Sequence, residues 1–595
     1  MSSQTRYPQT QKSVGSWIRR PIASVIGCLG LLGGGSFAVA AEYHVATTGA
    51  DANTGTATAP FATLTKANSV AAAGDTLWVH GGTYYLTSQL VLSKSGTSDT
   101  NRTKIFAVAG EQPVLDASKY VTSNAAVDVP VVLVTGNFMH LRGLEIANAK
   151  VGASGDHSYS LLRTKNASNN TFELLNLHHG FGPGLFIDTG TGGNLILNCD
   201  SHDNYDKDGS QGDGQNGDGF GVHYQKSGPS TIIRGCRAWM DSDDGYDFIS
   251  QEVPVTIEDS FAFSNGYGSG GNGNGFKIGS SLTGVRHIVQ NNVAWKNKAA
   301  GFYANHSTGG NTWLNNTAYH NGVQYNMLAS SFDASGTVTG TITLSGALAH
   351  KLRNNIGFPN KNSNMGGVDS ASNTWDLNLA EGATDFVNTS PTGCDGPRDA
   401  SGGMPAACTF MKLKAGSPLI DKGVDVGLPF TGTAPDLGAF EFGAVPTVTG
   451  GALATGGTIA TGGSRTGGTI TTGGVVATDG GAATGGASTG GIVITGGAIV
   501  TGGVVATGGA RTGGTVTATG GSPSDTGGQV SETGGSVSVS GGAMSTGGVA
   551  STGGSVTTTG SSGCGCRLGS SRMAMAPWWM LGFTALAIVL RRRRR

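Results

Sequence analysis

One dipeptide, glycine followed by an aromatic residue, recurs at a near-constant interval in the middle of this chain and restricts what the chain can fold into. The segments DGFGVHY, DGYDFIS, NGFKIGS and AGFYANH align on Gly219, Gly245, Gly275 and Gly301, at intervals of 26, 30 and 26 residues. A second apolar run follows each of them. In GCRAW, DSFAF, NNVAW and NNTAY the small residues Ala238, Ala262, Ala294 and Ala318 recur at 24, 32 and 24. Two strands therefore repeat together, and the longer intervals are insertions into single coils. Short Val/Ile/Phe runs, Asn/Gly turns and almost no helical periodicity specify a solenoid of stacked parallel strands, in which each coil buries the inner face of its neighbour.

Stacking converts this repeat into a site. Equivalent positions of successive coils lie about 4.8 Å apart, so Asp218, the group Asp243, Asp244 and Asp247, and then Lys277 fall on three consecutive rungs of one face. Oxygen-only ligands in such a cluster suit a hard cation, and Ca²⁺ accepts several carboxylates together with carbonyls and waters. Without a cation the aspartates would repel one another strongly. DSDDGYD also has the composition of an ordinary turn, and Lys277 taken alone would be a solvated lysine. What favours a chemical role for Lys277 is its aspartate-equivalent position in the otherwise uncharged segment NGFKIG. Just upstream, DNYDKDGSQGDGQNG offers Asp206, Asp208 and Asp213 as a second calcium loop, though without the closing glutamate of an EF-hand. A surface loop is the competing reading.

In this order, NGDGF, GCRAWMDSDDGYD and GNGFKIG resemble the family 9 pectate lyases, right-handed parallel β-helix enzymes that cleave polygalacturonate by β-elimination. The resemblance implies Asp218, Asp243, Asp244 and Asp247 as ligands of Ca²⁺ and Lys277 as the catalytic base. It also draws attention to Arg237, in the family-like GCRAW, as a substrate contact, since an arginine fork captures carboxylates in bidentate fashion. The likeness runs from about Tyr43 to Glu441, with end blocks such as GDTLWVHGGTY and GSPLIDKG that other β-helix proteins also carry. The chemistry is coherent. The C5 proton of a uronide is weakly acidic while the adjacent carboxylate is charged, and a cation bridging that carboxylate would acidify it. A lysine serves as base only when neutral, and burial beside a cation is expected to push its pKa down.

The remainder of the chain frames an exported enzyme. Charged residues are only 13% of the 595 and the net charge is −1, which does not suit a nucleic-acid partner. Residues 1–40 read as a secretory signal, with Arg19 and Arg20, an apolar run from Ile22 to Leu32 and cleavage after Ala40; VIGC at Val25–Cys28 also resembles a lipoprotein box. Residues 41–443 form the catalytic β-helix, with an N-terminal cap containing a helix from Ala62 to Ala73 that covers the open sheet edge. Asn198, Asn291, Asn292, Asn315, Asn316, Asn354 and Asn355 recur before one strand type and read as structural amide ladders. Cys394 and Cys408 flank a short loop and can pair outside the cell, whereas Cys199 and Cys236 occupy equivalent core positions, as thiols or a bridge. His178, His179, His223 and His306 form no zinc spacing, leaving structural or substrate-contact roles. Residues 444–562 are a TGG-rich disordered stalk of low complexity. Residues 563–595 hold Cys564 and Cys566, an apolar run from Met573 to Leu590 and the terminal cluster Arg591–Arg595. This tail resembles the C-terminal sorting signals of myxobacterial surface proteins, which implies processing at the cysteine motif; a retained membrane anchor is the alternative. The chain is expected to act as a monomer tethered at the cell surface. Two other functions fit parts of the pattern: an inverting polyuronide hydrolase using two carboxylates, and a non-catalytic glycan-binding solenoid on a stalk.

Overall fold

The computed structural model describes residues 40–120, 129–149, 159–209, 212–279, 284–333, 337–359, 361–379 and 381–444. The signal segment before Ala40, the TGG stalk and the Cys/apolar/Arg tail lie outside them. Among the described residues, three parallel sheets of twelve, nine and ten strands run the length of the molecule, and a short antiparallel pair joins Ala329–Phe332 to Val338–Ile342. Each coil contributes one strand to each sheet, as in the sequence Phe220–His223, Thr231–Arg234, Arg237–Trp239. The chain is a parallel β-helix. No helix among the described residues is long and apolar enough to cross a membrane.

The coil interior explains the Gly-aromatic repeat. A Cβ on Gly219, Gly245 or Gly275 would sit 2.5, 2.8 and 2.7 Å from the carbonyl oxygen of the next coil's glycine, so the tight corner excludes any side chain. The aromatic that follows points inward. Phe220, Tyr246, Phe276, Phe302 and Tyr325 stack nearly parallel at centroid separations of 5.2, 4.8, 4.9 and 5.0 Å, a buried column under one face of the helix. Ala238, Ala262, Ala294 and Ala318 pair with one another in register, as their recurrence requires.

Side-chain ladders close the corners. Asn292, Asn316, Asn355 and Asn373 form one, in which the amide oxygens of Asn316, Asn355 and Asn373 each accept the backbone N–H and the Nδ2–H of the preceding asparagine at 2.8–3.0 Å. The asparagines just before them do something else. Asn198, Asn291, Asn315 and Asn354 have φ of 52, 56, 51 and 57°, the left-handed conformation that asparagine tolerates better than most residues. Further along the same ladder the amide is replaced, first by Ser260 and then by Cys236 and Cys199, whose sulfurs accept the N–H groups of Cys199 and Leu175 at 3.3 and 3.4 Å. Both are free thiols. Cys394 and Cys408 form a disulfide.

Another corner uses histidine as a rung. His287 Nδ1 accepts the Val255 N–H at 3.0 Å, and His350 Nδ1 accepts that of Asn311 at 2.9 Å. Acceptance requires the neutral ring, and burial lowers both pKa values from the ordinary 6.5 to about 4. The unfolded chain therefore binds more protons than the native chain between pH 6.5 and 4, so stability is lost as pH falls through that window. Each ring contributes on the order of 3 kcal/mol. Chemical denaturation across pH 4–7 should show this slope, and His287→Asn, which keeps an acceptor without a proton site, should flatten it by about half.

The ends are covered. The cap helix spans Leu64–Val70, shorter than the Ala62–Ala73 run expected, because the Thr63 side chain caps it by accepting the Lys66 N–H and the chain is extended again at Ala71. Leu64 and Ala67 bury against the first coil. At the other end, residues 386–440 fold back over the outer face of a different sheet, where Trp239, Phe263 and Trp295 stack and Phe410 packs 4.7 Å from Trp295.

Candidate active site

The third residue of each Gly-aromatic unit faces outward, and strand register sets these residues in one line. Arg163, Phe186, Gly221, Asp247, Lys277, Tyr303 and Asn326 are successive partners across the nine-stranded sheet. Lys277 thus pairs directly with Asp247, as the aligned repeat requires. The residue before each glycine makes a second line, which is itself a ladder. Asp218 Oδ1 accepts the Asp244 N–H at 3.1 Å, Asp244 Oδ1 accepts the Asn274 N–H at 2.6 Å, and Asn274 Oδ1 accepts the Ala300 N–H at 3.1 Å. Two rungs of an asparagine-type ladder are aspartates, and a carboxylate has an oxygen to spare where an amide would have a donor.

Asp218, Asp244 and Asp247 converge, each offering an oxygen within 4.8 Å of the others. All are buried. Asp243 lies beside this group, and its carboxylate accepts the Asn272 N–H. Lys277 Nζ lies 2.9 Å from Asp244 Oδ2 and 3.3 Å from Asp247 Oδ2, and His223 Nε2 lies 3.6 Å from Asp247 Oδ2. Among the described residues, Asp247 Oδ1 is buried with no donor, and Asp244 Oδ2 meets only the Lys277 ammonium. Burial and the mutual repulsion of the carboxylates raise Asp218 and Asp243 above the ordinary carboxylate range. For Asp247, burial is outweighed by Lys277 and His223, and its pKa falls. Burial alone would lower Lys277, yet the four carboxylates, Asp244 and Asp247 foremost, raise it well above the ordinary lysine value. The depression expected from sequence is that of a lysine beside a bound cation; with the carboxylates alone the shift is upward. An all-oxygen donor set with orphaned buried oxygens and shared protons is what a divalent cation would satisfy.

The other expected residues separate from the site. Asp213 accepts from Tyr205 Oη, the Asp208 N–H and Ser269 Oγ at 2.6–3.1 Å, while Asp206 accepts from Asn216. The carboxylates of Asp206, Asp208 and Asp213 are not gathered into a metal-binding group among the described residues; Asp206 and Asp213 shape their loop instead. Arg237 corrects the substrate-contact expectation. It belongs to a different sheet, is buried, pairs with Asp200 through two 2.7 Å bonds and donates to the carbonyls of Cys394 and Gly396 at 2.7 and 2.8 Å. It clamps the folded-back segment, with Arg398 on the same Asp200. Arg237→Ala should cost about 3 kcal/mol by breaking a buried pair, seen as a lower denaturation midpoint, while turnover per folded molecule stays near that of the unmodified chain.

The sequence reading passed over Asn274 and Tyr303. Asn274 holds Asp244 through its N–H and its Nδ2, at 2.6 and 2.8 Å. Tyr303 was legible: AGFYANH places it at the aligned position of Asp247 and Lys277.

Comparison with known proteins agrees with this geometry. Residues 43–355 match the family model described as Pel9A-like, right-handed β-helix region. The chain is 36% identical over 315 residues to pectate lyase L of Dickeya dadantii (strain 3937), covering 52% of this chain and 68% of that one. It is 33% identical over 414 residues to pectate lyase L of Dickeya chrysanthemi, covering 67% and 90%. Among solved structures, it is similar to pectate lyase Pel9A, with a TM-score of 0.56 at 31% identity over 67% of this chain and 96% of that one. A rhamnogalacturonan lyase gives a TM-score of 0.56 at 29% identity, over 63% and 96%. The chain therefore belongs to the Pel9A-like family of right-handed parallel β-helix proteins, and it is a polysaccharide lyase.

Proposed function

We propose that this enzyme is a calcium-dependent pectate lyase, cleaving polygalacturonate by β-elimination to unsaturated oligogalacturonides. The observation that carries the reading is the register of Lys277 with Asp247, which sets one basic nitrogen against a buried carboxylate group on a continuous outward face. Asp218, Asp244 and Asp247, with Asp243 beside them, are the residues that would hold Ca²⁺. Bound there, the ion supplies Lewis-acid neutralisation of the substrate carboxylate. The residues of the chain do the rest. The carboxylates that would hold the ion are the same ones that hold the proton on Lys277, and burial by itself favours the neutral amine. Lys277 Nζ accepts the C5 proton, the C4–O bond breaks, and the double bond forms between C4 and C5. Asn274 and the ladder beneath it keep Asp244 fixed throughout.

The polymeric substrate cannot enter a cell, which supports export through residues 1–40 and tethering by the stalk and tail as the working arrangement of a monomeric enzyme. Mass spectrometry of the products decides between lyase and hydrolase. Elimination gives fragments whose masses sum to that of the substrate, and fragments heavier by one water would overturn the reading.

A further inference from the structure

Beyond Lys277, on the side away from the carboxylates, the face carries two groups with no role in the steps above. Tyr303 is the register partner of Lys277, and its ring lies 6.0 Å from that of His306, edge to face. Neither the Tyr303 hydroxyl nor His306 Nε2 has a protein partner among the described residues. The backbone that presents the histidine is left-handed at two consecutive non-glycine residues, Asn305 and His306, with φ of 45 and 59°, a pairing less common than the single left-handed corners elsewhere. Asn305 sits against Gly279, where a Cβ would come within 2.7 Å of its Nδ2, and His306 bridges to Ala329.

The tautomer follows from one further contact. His306 Nδ1 lies 2.7 Å from Ser330 Oγ, and Ser330 is buried with that nitrogen as its side-chain partner. A buried hydroxyl must place its proton, so Ser330 donates to Nδ1 and the ring hydrogen resides on Nε2, which is not buried. Burial keeps the imidazole neutral, with Lys277 adding to the effect. A neutral donor is thus fixed beyond the base, on the side away from the carboxylates.

We propose that His306 is a further substrate-contacting residue, whose Nε2–H donates to the departing glycosidic oxygen while Tyr303 packs against the sugar that carries it. This rests on the elimination reading. The electrons balance without another group: the C5 proton goes to Lys277, the pair of the C4–O bond goes to the departing oxygen, His306 stabilises the charge developing there, and water returns the proton. Removing one such donor typically costs about 10²-fold in turnover.

The test compares His306→Ala and His306→Gln with the unmodified enzyme on polygalacturonate, measuring kcat, KM, calorimetric Ca²⁺ affinity and Tm. The expected result is a loss of about 100-fold in kcat for His306→Ala, a much smaller change in KM, unaltered Ca²⁺ affinity, a Tm lowered only as far as the unpaired Ser330 hydroxyl requires, and partial recovery of kcat in His306→Gln, which restores an N–H donor. A His306→Ala enzyme within about threefold of normal kcat would overturn the proposal. Equal losses in both variants accompanied by a larger fall in Tm would also overturn it, by assigning His306 a structural role. If the unmodified enzyme yields no unsaturated product, the elimination reading itself fails and this proposal falls with it.

Discussion

Lys277→Ala is expected to reduce elimination by roughly 10³-fold or more, the loss typical of a general base removed from a positioned site, with the fold intact. The side chain is outward on its strand and supports no ladder, so its removal leaves no buried donor unpaired. It does leave the carboxylates without their ammonium. Two consequences separate this variant from a merely damaged one. Ca²⁺ affinity should be retained or improved, because the ion no longer competes with a cation already in the site. Lys277→Arg should rescue almost nothing, since guanidinium stays protonated at any pH at which the protein is folded. Stopped-flow or steady-state absorbance of the unsaturated product, paired with calorimetry of Ca²⁺ binding, checks all three; near-normal turnover in Lys277→Ala would remove the residue from the mechanism.

The second large effect concerns Asp244. Asp244→Asn keeps the oxygen that accepts from Asn274 and removes one charge from a buried group of like charges. The variant should require about 100-fold more Ca²⁺ for half-maximal rate, yet in chelator its Tm should equal or exceed that of the unmodified chain. The two melting curves should cross as Ca²⁺ is added, because a ligand at about 100 times its Kd adds about 2.7 kcal/mol to the native state alone. A pH dependence accompanies this. Without the ion, Asp218, Asp243 and Lys277 all hold protons more tightly than usual, burial and neighbouring carboxylates raising the acids and the four carboxylates overriding burial at the lysine. Ca²⁺ uptake must release protons, so apparent affinity should rise with pH and activity should favour alkaline conditions. A Ca²⁺ affinity independent of pH would contradict this arrangement.

Much of this was legible in the sequence, for steric reasons. A glycine recurs wherever a Cβ would strike the next coil's carbonyl, and alanine wherever the inner pairing leaves no room, so the alignment of Gly219, Gly245, Gly275 and Gly301 reproduces the register found in the sheets. The outward line containing Asp247 and Lys277 follows from counting two residues beyond each glycine. What was not legible depends on partners remote in sequence. Arg237 reads as a family-like basic residue, but its role is set by the carbonyls of Cys394 and Gly396, 157 and 159 residues away. The paired asparagines look equivalent in sequence, yet one of each pair supplies a left-handed corner and the other an amide rung. Cys199 and Cys236 were left open between bridge and thiols, because spacing places them on adjacent rungs without revealing that each sulfur is already a ladder acceptor. The raised pKa of Lys277 was missed because the expectation began with the cation in place.

The most direct test of a carboxylate group that must be charge-neutralised before Lys277 can act is the ultraviolet absorbance of unsaturated uronide formed from polygalacturonate after exhaustive dialysis against chelator, followed by return of Ca²⁺ or Mg²⁺. The account predicts no measurable absorbance in chelator, full recovery with Ca²⁺ and poor recovery with Mg²⁺, whose small octahedral shell fits a flexible carboxylate-rich site badly. Undiminished formation of unsaturated product in excess chelator would contradict it.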